Sequence, residues 1–309
     1  MNVECRDRAW TCRTLQRSWV SGWFVLGMVP GLAAAGTDIN ERKAVDPAGQ
    51  VEISNTAGSV TVSGWNRNEV EVTGELGDGS ERLEFTTTGK LTRVKVVLPR
   101  KAFDAESSDL VVRIPMASGL SVNTVSADVR VSAVHGEQRL QTVSADITTE
   151  AATEDVECKS VSGDVTVNGS GRRGLLNITT VSGDASATKI AGEVNGSTVS
   201  GNFTLGLGEM ARSRLRSTSG DLSMSGRLLA DTRIDVESIS GDVRLDLTGP
   251  ADAEFDVSSF NGEIRNCMGP KPVRTDQYAP GRELRFREGQ GSARVRVKTL
   301  NGDINVCRK

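Results

Sequence analysis

Carboxylates recur at one fixed place along the last two thirds of this 309-residue chain. Asp128, Asp146, Asp164, Asp184, Asp221, Asp242, Glu263 and Asp303 each follow a Gly or Ala, and Asn202 stands in the same place. A Ser or Asn precedes that small residue every time, as in Ser144, Ser162 and Ser182. Side chains that repeat once per strand of a parallel ladder stand about 4.8 Å apart, and like charges directly opposite one another are destabilising. Two chemistries could offset the repulsion. Calcium takes carboxylate and carbonyl oxygens, whereas a carboxylate beside Gly can accept backbone N–H bonds in a turn or bulge. The calcium nonapeptide Gly-Gly-x-Gly-x-Asp is absent and each repeat offers a single carboxylate. A structural column is therefore expected, with no metal and no cofactor.

Acid–base or nucleophilic catalysis has little to draw on. His135 is the sole histidine, on the apparent turn Val134-His135-Gly136-Glu137, with no nucleophile constellation around it. Trp65 is the only tryptophan after residue 35, so aromatic platforms for sugars are scarce; its place after Ser63-Gly64 suggests that it packs the N-terminal end. A catalytic site should break the repeat, yet nearly every repeat carries its Asp. Elongated β-helices can nevertheless cleave acidic polysaccharides with Asp clusters and a basic residue, and a polysaccharide-active enzyme is the alternative reading. The net charge of −3 gives no reason to expect a nucleic-acid partner.

The elements that must position these residues are written in the same repeat. The unit is Thr/Ser-Val-Ser-Gly-Asp-Val-x-Val, as in Ser160-Val161-Ser162-Gly163-Asp164-Val165-Thr166-Val167. Its central Gly or Ala falls at 127, 145, 163, 183, 201, 220, 241, 262 and 302, in steps of 18 to 21 residues until a last step of 40. Self-similarity at one short period marks a solenoid, in which each repeat buries its apolar side by stacking on its neighbours. A composition of 37% hydrophobic and 4% aromatic residues suits the thin seam that a solenoid needs. Counting from the central residue as zero, positions −2, +2 and +4 are apolar and −3, −1, +1 and +3 polar, the alternation of a half-buried strand. On that pattern −2, +2 and +4 should face the core. Position −5 is apolar with the opposite parity, which places a corner near −4. Cys158 stands in that column and should be a buried, inert thiol. The polar positions would form one long face, whose ligand-binding candidates are Ser144, Asp146, Ser162, Asp164, Thr166, Ser182 and Asp184.

The fold class expected is all-β, a single-stranded β-solenoid (parallel β-helix-like) with 18–21 residues per rung. Residues 1–35 read as a signal peptide: Arg6, Arg8, Arg13 and Arg17, an apolar run from Trp19 to Val29, and a small-x-small end at Ala35. Cleavage there removes four bases and two acids, leaving 33 and 38, a net charge of −5, and no transmembrane anchor. Residues 36–309 then form one solenoid domain, with irregular N-terminal rungs or a cap over 36–118 and regular repeats over 119–309. A loop or hairpin insertion is expected at 268–291. An open end rung needs covering, which accounts for an atypical start. Cys267 and Cys307 each lie five residues after the central Gly of their units. If those units are neighbouring rungs, the thiols stack within disulfide reach, about 4.8 Å apart.

The recurring Val-Ser-Gly-Asp-Val units, the export signal and the closing Leu300-Asn301-Gly302-Asp303-Ile304 resemble a bacterial β-strand-repeat family known as "putative adhesin", over roughly residues 48–309. The resemblance implies an envelope or surface role without a defined ligand, and the family supplies no catalytic residues to carry over. The expectation is an exported, non-catalytic binding or scaffold module, periplasmic or at the cell surface. Its partner would be a cell-envelope polysaccharide or an envelope protein, and its oligomeric state is left open.

Overall fold

Strands follow wherever β-branched residues alternate with polar ones, because a pleated strand turns successive side chains to opposite faces. The structure is a computed structural model that describes residues 36–99, 106–152, 154–276, 278 and 280–309. The expected signal peptide, residues 1–35, lies outside the described residues. Among the described residues every regular element is a β-strand, and none is a helix long and apolar enough to cross a membrane. Parallel register runs Val129↔Ile147↔Val165↔Ala185↔Phe203↔Leu222↔Val243, one repeat per step. The chain is therefore all-β and solenoid-like. Position −5 forms its own ladder, Val122↔Leu140↔Cys158↔Ile178. Cys158 is fully buried there, and burial, aided by the neighbouring Glu157, pushes its thiol up to about 12.

The corner is not where the alternation placed it. Thr142, Ser160 and Thr180 at −3 are buried, whereas Val143, Val161 and Val181 at −2 are 39–43% exposed. The inward set is −5, −3, 0, +2 and +4, and the chain turns across −2 and −1. The buried hydroxyl explains the inversion. Ser160 Oγ accepts the Gly163 N–H at 2.9 Å, and Thr198 Oγ1 accepts the Gly201 N–H at 3.0 Å. A side-chain oxygen that satisfies a corner amide belongs inside the corner, and the residue after it is turned out.

Both ends of the ladder are threaded. Gln50–Trp65, the first solenoid strand in sequence, is second in space. It pairs in parallel with Gly119–Ser132 on one side and with Leu91–Val97 and Ser108–Pro115 on the other. That outer rung is covered by antiparallel strands, Arg82–Thr88 on Leu91–Val97 and Glu69–Leu76 on Ser108–Pro115. Thr37–Ala44 adds one more antiparallel strand beside Glu69–Leu76. Trp65 stands at this end, its Nε1–H donating to the Glu69 carbonyl at 2.8 Å.

At the other end Ala293–Asn301 and Ile304–Arg308 slip between the rung of Leu222–Ser240 and Val243–Leu247 and the rung of Ala253–Asn261 and Ile264–Asn266. The spatial order of central residues is thus 241, 302, 262. Most of the expected insertion at 268–291 is the cover of this end: Arg282–Glu288 runs antiparallel to Ala253–Asn261, with Val273–Arg274 outside it. Rungs 262 and 302 are neighbours, and Cys267 and Cys307 are bridged with Cα atoms 4.8 Å apart.

Candidate functional site

The turned-out corner is the most regular surface of the ladder. Along it run three parallel columns. The first is aliphatic or aromatic: Val125, Val143, Val161, Val181, Val199, Ile239, Leu300 and Phe260 are 39–51% exposed, with Thr218 replacing the apolar residue once. Beside it stands the exposed Ser column at −1, and one residue further on, past the buried Gly, the Asp column at +1.

The Asp column is held by the backbone of the next rung. Asp164 N–H donates to Asp146 Oδ1 at 2.9 Å, Asp184 N–H to Asp164 Oδ1 at 2.8 Å, and Asn202 N–H to Asp184 Oδ1 at 2.8 Å. The chain of bonds continues through Asn202, Asp221, Asp242 and Asp303 to the N–H of Glu263. Each Asp thus has one oxygen tied to a neighbouring amide, a charge-assisted bond that offsets repulsion along the column, while the Glu263 carboxylate at its end meets Arg282. Arg130 adds an exposed ion pair to Asp128 at 3.4 Å. Among the described residues no three His, Cys, Asp or Glu side chains converge as a metal-ligand set.

The ladder can close up this tightly because of the glycines. A Cβ on Gly183 would come within 2.0 Å of the Gly163 carbonyl oxygen, and one on Gly201 within 2.0 Å of the Gly183 carbonyl oxygen. The carbonyls that flank the corner therefore pack where side chains would otherwise stand.

The family model described as Toastrack DUF4097 matches residues 50–307. The chain belongs to the Toastrack DUF4097 family. No curated protein sequence matches it. Among solved structures, a protein from Bacteroides fragilis NCTC 9343 described as a "putative adhesin" is 11% identical. That match covers 87% of this chain and 96% of the other, with a TM-score of 0.42. A protein from Parabacteroides distasonis ATCC 8503 with the same description is 10% identical over 88% of this chain and 98% of the other, with a TM-score of 0.40.

In the Toastrack ladder the residues singled out from sequence do fall on one edge. Ser144, Asp146, Ser162, Asp164, Ser182 and Asp184 are exposed, and Thr166 beside them is half-buried. The broad Thr/Ser face expected from the alternation does not form, because the −3 hydroxyls turn inward. The missed component is the apolar column at −2, assigned to the core by period-two counting. Its signal lay in the −3 hydroxyl, present in repeat after repeat where an outward position would tolerate more variety. His135 is exposed, its backbone N–H bonded to the Met116 carbonyl at 2.8 Å.

Proposed function

We propose that this protein is an exported, non-catalytic binding or scaffold module of the bacterial envelope, periplasmic or at the cell surface. In this reading residues 36–309 act as one single-stranded β-solenoid domain after loss of residues 1–35, and the corner is its recognition surface. The observation that carries the reading is the exposed apolar column beside the Ser and Asp columns. A contiguous apolar strip rimmed by polar groups marks an interaction site more often than a bare surface. It is a groove-free, one-dimensional surface, suited to an extended polymer. The apolar residues would take the non-polar faces of successive sugars, and the Ser and Asp oxygens their hydroxyls. A cell-envelope polysaccharide fits that description, and an envelope protein with an extended segment is the other partner class.

The test is co-sedimentation of the purified protein with isolated peptidoglycan and outer-membrane fractions. Saturable binding is expected, weakened at least ten-fold by Val143→Ser, Val161→Ser and Val181→Ser together. Combined Ser162→Ala, Asp164→Ala and Thr166→Ala should weaken it less. Binding unaltered by both sets would remove the corner from consideration.

A further inference from the structure

The sheet that precedes the corner carries a second surface, built from positions −8 and −6. Arg212, Arg233 and Arg294 occupy −8 on three adjacent rungs and are paired directly in register. Like charges so placed repel. The column ends in acids on both sides, Glu193 opposite Arg212 and Glu254 opposite Arg294. These make exposed ion pairs at 3.8 and 3.5 Å, whereas Arg233 in the middle makes none among the described residues. In the −6 column Asp235 lies between Arg214 and Arg296 in register and pairs with neither, and its Oδ1 is buried without a hydrogen-bond partner. Arg296 turns instead to Asp256 at 3.7 Å.

Apart from Asp256, these residues line an open cleft of about 620 Å³. Its rim is fixed on one side by Asp252, which accepts the Gly291 N–H at 2.6 Å and the Ser292 hydroxyl at 3.0 Å. Nothing in the fold requires three stacked guanidinium groups here. Equivalent positions on earlier rungs hold Glu137, Asp155 and Leu175.

We infer that this cleft binds an acidic polysaccharide, with carboxylates of one extended chain seated on Arg212, Arg233 and Arg294. A guanidinium fork matches a carboxylate with two parallel hydrogen bonds. The three Arg positions recur at the rung spacing of about 4.8 Å, so their flexible side chains can follow carboxylates repeated along one extended chain. Glu193 and Glu254 close the column at three charges and disfavour longer, denser polyanions.

Titration calorimetry with trigalacturonate, its carboxyl-reduced neutral counterpart and inorganic polyphosphate tests the assignment. Trigalacturonate should bind and the neutral sugar should not. Arg233→Gln, which keeps much of the side-chain stem, should weaken binding at least ten-fold. The same variant should raise the ligand-free Tm by about 1–3 °C, because it relieves the repulsion. Arg93→Gln, which breaks an exposed pair with Glu52 at the other end, should bind like the parent. The proposal is overturned by absence of trigalacturonate binding, by full affinity in Arg233→Gln, or by a lowered Tm in that variant. Tighter binding of polyphosphate than of trigalacturonate would likewise overturn it, in favour of a phosphate polymer.

Discussion

At the scale of single residues, the carboxylate column shows how one acid per repeat becomes a structural device. Each Asp at +1 stabilises the amide of the next rung, so the charge that should repel its neighbour also holds that neighbour in place. Asn202 makes the same bonds, accepting from Asp221 N–H at 3.0 Å and donating its own N–H to Asp184 Oδ1. The amide oxygen is therefore sufficient, and the negative charge is not needed for the bond. Asp164→Asn should leave thermal stability within about 0.5 kcal/mol of the parent. Asp164→Ala strands the Asp184 N–H and should cost about 1 kcal/mol. Denaturant midpoints of the two variants decide this, and equal losses would show that charge and not acceptor geometry matters. The column and its spacing were legible in the sequence because Gly-Asp recurs at one period. Its partner was not legible, since the amide it binds is 18 to 21 residues away in the middle rungs and 40 or 61 at the threaded end, and only the register brings it near.

At the scale of elements, the end covers show what a solenoid does with an open edge. The N-terminal cover buries one acid between two exposed bases. Glu71 on Glu69–Leu76 is 3% exposed at the side chain; Arg42 Nε donates to it at 2.6 Å and Arg113 at 2.9 Å. Burial works against its ionisation, but the bonds and charges of Arg42 and Arg113 outweigh burial and hold the carboxyl below its ordinary range. A carboxylate lowered in the folded state stabilises the protein above its unfolded value, about 4.3 for Glu. That contribution is lost as pH falls through the folded value. Melting temperature measured from pH 6 down to pH 3 should therefore fall, and Glu71→Gln should start lower at pH 6 and fall less. Parallel pH profiles for parent and variant would refute the assignment. The antiparallel cover strands were visible as alternating runs such as Leu83-Glu84-Phe85. What they pair with was not, because nothing local in Gln50–Trp65 says that it lies inside another rung. The corner failed for a related reason: period-two counting treats every Thr and Ser as outward, although a hydroxyl that satisfies a corner amide gains from being buried.

At the scale of the whole ladder, threading changes how the structure can come apart. Stability in a stacked repeat is a sum of rung terms and nearest-neighbour terms, so an ordinary solenoid loses its terminal rung first. Here the last strands in sequence, Ala293–Asn301 and Ile304–Arg308, have a parallel partner on each side, and the outermost rung is an earlier piece of chain. Releasing Lys309 does not peel an edge; it opens a gap between two rungs and strands Ala253–Asn261 with its antiparallel cover. The Cys267–Cys307 bridge pins this arrangement across a sequence separation of 40. Closing a loop of that length typically stabilises by about 2–4 kcal/mol, the upper end being the chain-entropy value. Cys267→Ser with Cys307→Ser should therefore lower stability by that amount, and hydrogen exchange should show where. Amides of Val295, Val297, Ile304 and Val306 should lose protection together with those of Phe255 and Val257, while Val165 and Val167 in the middle rungs keep theirs. Progressive exchange inward from Arg308 with Phe255 and Val257 still protected would mean that the last strands peel singly, and that threading does not couple the two end rungs.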